Sequence, residues 1–163
     1  MNYFEYFNLP QKFQINKKKL LRKYYSLQKK YHPDMHINCS TKKKKNILKR
    51  SIYINKGYQI LKNTIKRIQY LLKINGFDIK SNKTHNTLDQ KFLYKQYKLY
   101  KKLNKIQQKK NKKAILNFIR KIDSLFKKNL KKIKIKLIKK SWKKSYIIFQ
   151  KIIFLKNFKK KIK

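Results

Sequence analysis

His32 and Asp34 flank Pro33, and His36 and Cys39 follow a few residues later. An imidazole beside a carboxylate can act as a general acid–base pair, and histidines with a thiol can hold a metal. Neither chemistry is supported. Two histidines four apart share a face only on a continuous helix, which Pro33 disfavours. A zinc site would have to draw all its ligands from this one short loop. No serine or cysteine nucleophile adjoins the pair in a recognisable motif. Glu5, Asp78, Asp89 and Asp123 are scattered along the chain, and with Gly57 and Gly76 as its only glycines it holds no phosphate-binding loop. The chain therefore reads as a protein without catalytic residues, metal or cofactor. His32, Pro33 and Asp34 read instead as a small polar signal shown to a partner.

Helices must position that signal. Apolar residues recur at helical spacing nearly throughout, with no alternating strand pattern. A short helix is expected over 3–8, closed by Pro10. A second is expected over 17–31, with Leu20, Tyr24, Leu27 and Tyr31 on one face and a basic surface around Arg22, Lys23, Lys29 and Lys30. Proline biases the residue before it to extended backbone, so this helix must stop near His32. Ser40 or Thr41 could cap a third helix, which carries Ile47, Leu48, Ile52, Ile54, Tyr58 and Leu61. A break at Asn63-Thr64 leads to a fourth helix ending at Asn75-Gly76, where glycine suits a terminus. The loop thus lies at the tip of a helical hairpin.

The polar stretch that follows, including His85, reads as a linker, and Thr87-Leu88-Asp89-Gln90 resembles a capping box. Three longer helices are expected over about 88–110, 112–138 and 141–160. The fold class is all-α: a small helical domain (1–76), a linker (77–87) and a three-helix bundle (88–163).

Charge bounds the partners. The 163 residues hold 49 Lys+Arg against 5 Asp+Glu, a formal net charge of +44, yet hydrophobic residues reach 40%. That apolar share can build cores, so a folded chain under self-repulsion is expected. Most of the cations are lysine, spread along the whole chain among Asn, Ile, Tyr and Phe, residues whose codons are A/T-rich. Base drift in the genome is the expected source of much of this content, and a GC-rich gene would overturn that expectation. Cys39 is the lone cysteine, so no internal disulfide forms. No signal or transit pattern opens the chain, and the stretch from Tyr146 to Phe158 is too short and too charged to span a bilayer. A cytoplasmic protein without membrane partner is expected.

The first bundle helix is apolar on more than one face. Phe92, Leu99, Leu103 and Ile106 form a stripe for the core, while Leu93, Tyr94, Tyr97 and Tyr100 form a second strip beside it. Phe154 and Phe158 likewise fall outside the main stripe of the last helix. Such a surplus either packs against a second neighbour or offers a partner surface. Tyrosine favours the surface.

These residues carry a resemblance. A helix ending in Tyr31-His32-Pro33-Asp34 between a short helix and a long one resembles a J-domain. The opening Tyr3-Phe4-Glu5-Tyr6-Phe7-Asn8-Leu9-Pro10 narrows the match, as do Ile54-Asn55-Lys56-Gly57-Tyr58, Arg67-Ile68-Gln69-Tyr70-Leu71-Leu72 and Gly76-Phe77-Asp78. With Lys91-Phe92-Leu93 and Trp142, they resemble the HscB family of iron–sulfur co-chaperones over nearly the whole chain.

The resemblance implies a non-enzymatic co-chaperone. Such proteins bind the scaffold IscU through the C-terminal bundle, deliver it to the DnaK-like ATPase HscA and stimulate ATP hydrolysis there. It implies that HscA reads His32, Pro33 and Asp34, with Arg22, Lys23, Lys29 and Lys30 steering the encounter. It places the IscU surface at Leu93, Tyr94, Tyr97 and Phe154, beside Lys98, Lys101 and Lys105, where the family carries acids. Thr64 stands where the family commonly has proline, and the last helix is expected to be short. The cysteine module that precedes some eukaryotic relatives is absent, which implies a bacterial setting. Three other readings compete: a basic RNA- or DNA-binding protein, with nonspecific affinity for polyanions, a J-domain protein with another client, and, least favoured, a basic amphipathic protein lying on anionic membrane.

Overall fold

The computed structural model describes residues 1–79, 90–109 and 111–162; the expected linker beyond residue 79, His85 and Thr87 to Asp89 lie outside them. Among the described residues the chain is helical without strands. The helices are α1 (Tyr3–Tyr6), α2 (Lys17–Tyr31), α3 (Thr41–Lys62), α4 (Thr64–Ile74), α5 (Gln90–Gln108), α6 (Lys112–Ile138) and α7 (Trp142–Ile162), with a 3-10 turn at Pro33–His36. No described helix is long and apolar enough to cross a membrane. The chain divides into two compact units, Met1–Leu71 and Leu72–Lys163.

In the first unit α2 and α3 form the hairpin. Tyr24 stacks on Tyr58 with centroids 4.0 Å apart. The Tyr24 hydroxyl and the Gln28 amide both donate to Asn55 Oδ1, at 2.9 and 2.7 Å. The short α1 then lies against α3. A Cβ built on Gly57 would fall 2.6 Å from Tyr3 Cδ1 and 2.9 Å from Phe7 Cε2, so only glycine permits this approach. α1 is a complete capping box: Asn2 Oδ1 accepts from the Glu5 amide and the Glu5 carboxylate accepts from the Asn2 amide. It ends at Tyr6, two residues sooner than expected, because Asn8 turns to φ 50 and the Leu9 amide returns to the Phe4 carbonyl.

Arg67 is the buried cation of this unit. It donates to the Phe13 carbonyl at 3.0 Å and to the Leu61 carbonyl, two acceptors that no longer need water. Burial lowers its pKa from the ordinary value. Asn63 makes the break before α4, accepting from the Ile65 and Lys66 amides at 3.0 Å. α3 starts differently from expectation: Ser40 holds the cap position but its side chain makes no capping bond.

In the second unit α4 ends in a Schellman turn. Gly76 takes φ 87, its amide reaches the Lys73 carbonyl, and the Phe77 amide reaches the Leu72 carbonyl. Phe77 packs on Tyr146 with centroids 5.7 Å apart. α5, α6 and α7 enclose a core of Leu103, Phe118, Ile122, Leu155, Phe158 and Ile162. Asn111 caps α6 through the Ala114 amide at 3.0 Å. The last helix is not short: it runs to Ile162, which is buried in that core.

Candidate chaperone-binding loop and apolar strip

The loop is shaped from both sides. At His32 the backbone turns extended (φ −69, ψ 132), as the following proline demands, and Pro33 opens the 3-10 turn. His32 is at once the end of α2 and the cap of that turn. Its Nδ1 accepts from the Asp34 amide at 3.4 Å, and the Asp34 carboxylate lies 3.7 Å from the same nitrogen. Nδ1 can serve only one of these at a time. Unprotonated it caps the turn; protonated it pairs with Asp34. Both side chains are exposed, as a signal for a partner requires.

Two further contacts hold the loop. His36 Nε2 lies 2.8 Å from the Lys30 carbonyl, which ties the end of the turn to the last turn of α2. Arg50 of α3 donates from Nη1 to the Tyr31 hydroxyl at 2.8 Å, with its guanidinium carbon 5.1 Å from that ring's centroid. Sequence reasoning missed both residues. A long-range partner of Tyr31 leaves no local signal, and the spacing of His36 suggests no role beyond metal binding. Among the described residues, no group of three or more His, Cys, Asp or Glu side chains comes together to hold a metal ion.

Arg22, Lys29 and Lys30 are exposed on α2 and Lys23 is half-buried, with no acidic residue in the helix. At the loop Met35 and Ile37 are exposed large apolar residues that the sequence did not single out, and on α3 Leu48 and Ile52, expected among its apolar residues, are exposed too because no helix covers that side. Ile37 and Leu48 line a hollow with Pro33, Asp34 and His36.

On α5 the surplus apolar residues separate into two groups. Leu93, Tyr94 and Tyr97 are 49%, 58% and 59% exposed. Tyr100, expected with them, belongs to the bundle: its ring meets Phe158 at 4.8 Å and Phe154 at 6.1 Å. Phe158 is likewise core, 1% exposed, because it stacks on Phe154 and meets Phe118. Phe154 is half-buried, meeting α5 through Phe92 and Tyr100. Lys98 Nζ sits 4.5 Å from the Tyr94 centroid, a cation over the ring's negative face. Lys101 and Lys105 are exposed on the same helix.

A hairpin tip bearing His32, Pro33 and Asp34, followed by a three-helix bundle with an exposed aromatic strip, can be compared with known proteins. The co-chaperone protein HscB of Buchnera aphidicola subsp. Acyrthosiphon pisum is 40% identical over 168 residues, covering 100% of this chain and 94% of the relative. The chain belongs to the HscB co-chaperone family. The chaperone HscB from Vibrio cholerae has the same fold with a TM-score of 0.80 at 27% identity, over 99% of this chain and 95% of that one. The human co-chaperone protein HscB shares the fold at a TM-score of 0.84 and 23% identity, over 99% and 80%. The Jac1 co-chaperone from Saccharomyces cerevisiae does so at 0.74 and 19%, over 99% and 91%. No family model matches the chain. As an HscB-type co-chaperone the protein is all-α, a J-domain followed by a C-terminal helical domain, as the sequence led us to expect.

Proposed function

We propose that this protein is a cytoplasmic, non-catalytic co-chaperone that delivers an IscU-type scaffold to an HscA-type DnaK-like ATPase. It stimulates ATP hydrolysis by that ATPase and so supports iron–sulfur cluster maturation. The single observation that carries this reading is a full-length match to HscB at 40% identity, in a chain that keeps His32, Pro33 and Asp34 at an exposed hairpin tip.

In the proposed mechanism the ATPase reads that loop. The cations of α2, with Arg22, Lys23, Lys29 and Lys30 as candidates, draw an acidic surface toward it, a contribution mainly to association rate that weakens with salt. Asp34 presents a carboxylate with no strong internal partner, and Pro33 keeps it off the helix. The scaffold docks on Leu93, Tyr94, Tyr97 and the edge of Phe154. Tyr97 is the natural anchor, an amphipathic ring with large exposed area. Lys98, Lys101 and Lys105 then fit a scaffold whose facing surface is acidic.

The test is single-turnover ATP hydrolysis by the cognate ATPase, with and without this protein and its scaffold. His32→Gln should abolish stimulation while the circular dichroism spectrum is unchanged; stimulation equal to the parent overturns the reading. Leu93→Ala with Tyr97→Ala should weaken scaffold binding at least tenfold, and unchanged affinity would remove these residues from the interface.

A further inference from the structure

α6 and α7 meet along a groove with an apolar floor and cationic edges. Ile122, Phe126 and Leu155 line a hollow of about 260 Å³, with Lys156 and Lys160 exposed at its rim. Asp123 also faces it, but both its oxygens accept from Lys159 Nζ, at 2.7 and 2.8 Å. Its charge is therefore already engaged across the groove. Asp123 also lines a second, polar hollow along α6 with Arg120, Ser124, Lys127, Lys128 and Lys131. The two hollows adjoin at this residue.

Asp123 is the sole acidic residue in α5, α6 and α7. Those helices supply no other carboxylate for the cations along both hollows, and excess charge of one sign favours bound anions. The apolar floor narrows the kind of anion. A phosphate backbone would use the lysines and leave Ile122, Phe126 and Leu155 unused. The hollow is smaller than the roughly 300–1,000 Å³ of common small-molecule sites, and its volume suits one large side chain. No α5 residue lines it, so it is distinct from the Leu93–Tyr97 strip.

We infer that the α6–α7 groove docks an acidic amphipathic segment of a protein partner. One large apolar side chain enters the Ile122–Phe126–Leu155 hollow, and its flanking carboxylates meet Lys156, Lys160 and the Arg120–Lys131 edge.

The full chain is titrated, at physiological salt, with a fluorescein-labelled glutamate-rich peptide carrying a central Leu-Phe pair. The same peptide with Ser-Ser in place of that pair and a single-stranded oligonucleotide of equal charge serve as the other probes. Lys156→Gln with Lys160→Gln should weaken peptide binding about tenfold, as loss of close charge pairs does. Lys42→Gln with Lys43→Gln on α3 should change it less than twofold. The Ser-Ser peptide should bind about tenfold more weakly than the Leu-Phe peptide, because its anchor is gone. Equal loss in the α3 variant, equal affinity of the two peptides, or tighter oligonucleotide binding that depends on Lys156 and Lys160 would each overturn the inference. Both substituted lysines are exposed, so an unchanged melting temperature accompanies the expected result.

Discussion

Arg50 reaches from the middle of α3 to the last residue of α2, donating to the Tyr31 hydroxyl at 2.8 Å, one residue before His32. This bond ties the second long helix to the point at which the first must stop. The conformation of the loop is thus coupled to hairpin packing, not left to the local turn alone.

If the proposed function holds, Arg50→Ala should therefore lower stimulation of the proposed partner ATPase several-fold at unchanged helix content. Both the bond and the cation over the Tyr31 ring are lost, together worth about 1 kcal/mol at a partly exposed site. Tyr31→Phe keeps the ring and removes the hydroxyl, so its loss should be smaller. Stimulation by the two variants equal to the parent would show that the contact does not position the loop.

Gly57→Ala should destabilise the J-domain by about 1–3 kcal/mol, the range for overpacking. The new methyl would fall 2.6 Å from Tyr3 Cδ1, and Tyr3 is itself buried with its amide bonded to the Tyr70 hydroxyl at 3.0 Å, so it has little room to yield. A lower urea midpoint is the expected reading. An unchanged midpoint would mean that α1 shifts at no cost.

Strip and core on the C-terminal bundle should separate by stability. Phe158→Ala should cost about 3–5 kcal/mol, as for a buried ring, because Phe158 is packed against Tyr100, Phe118 and Phe154. Tyr97→Ala, at an exposed position, should stay within about 0.5 kcal/mol. Comparable losses in thermal unfolding would place Tyr97 in the core.

Lys140 holds φ 51 in the turn between α6 and α7, where a side chain is strained. Lys140→Gly should raise the unfolding free energy by several tenths of a kcal/mol, relief of strain offset by the greater chain entropy of glycine. A lower melting temperature would contradict this.

High pH should act on the aromatic cluster around α1. Burial, and secondarily neighbouring tyrosines, raises the pKa values of Tyr3 and Tyr53 above the ordinary 10.0. Burial likewise raises that of Tyr6, with Tyr31 adding to the shift and Arg50 opposing it. A raised folded value means that the unfolded chain loses the proton first. The stabilisation is full below about pH 10 and is lost as pH rises through the folded values. Phenolate absorbance should develop at higher pH in the folded chain than in urea, and Tyr53→Phe should shrink that gap. Identical titration curves in the two states would refute it.

Long, regularly patterned helices were legible from residue order. The extents of α2 and α6 match expectation because the apolar period runs through them without interruption. The stop at His32 followed from Pro33, and the turn at Gly76 from the lack of a side chain. Short-range details were less legible. Ser40 occupies a cap position without making the bond, and α1 closes early around Asn8, because competing local hydrogen bonds differ by small energies. In the candidate site, Leu93, Tyr94 and Tyr97 were read correctly as surplus to the core, whereas Tyr100 and Phe158 were not. Helical spacing shows on which side of a helix a ring lies, but not whether another helix covers that side.

The order of residues by itself determined the all-α class, the place of the His32-Pro33-Asp34 loop and membership of the HscB family, since each depends on local backbone preference or on matching residues in sequence. Tertiary structure alone decided that Arg50 holds Tyr31, that Gly57 admits Tyr3, and that Asp123 and Lys159 clasp across a groove floored by Ile122 and Leu155. Each of those joins side chains far apart in the chain, and only the packing of one helix on another brings them within reach.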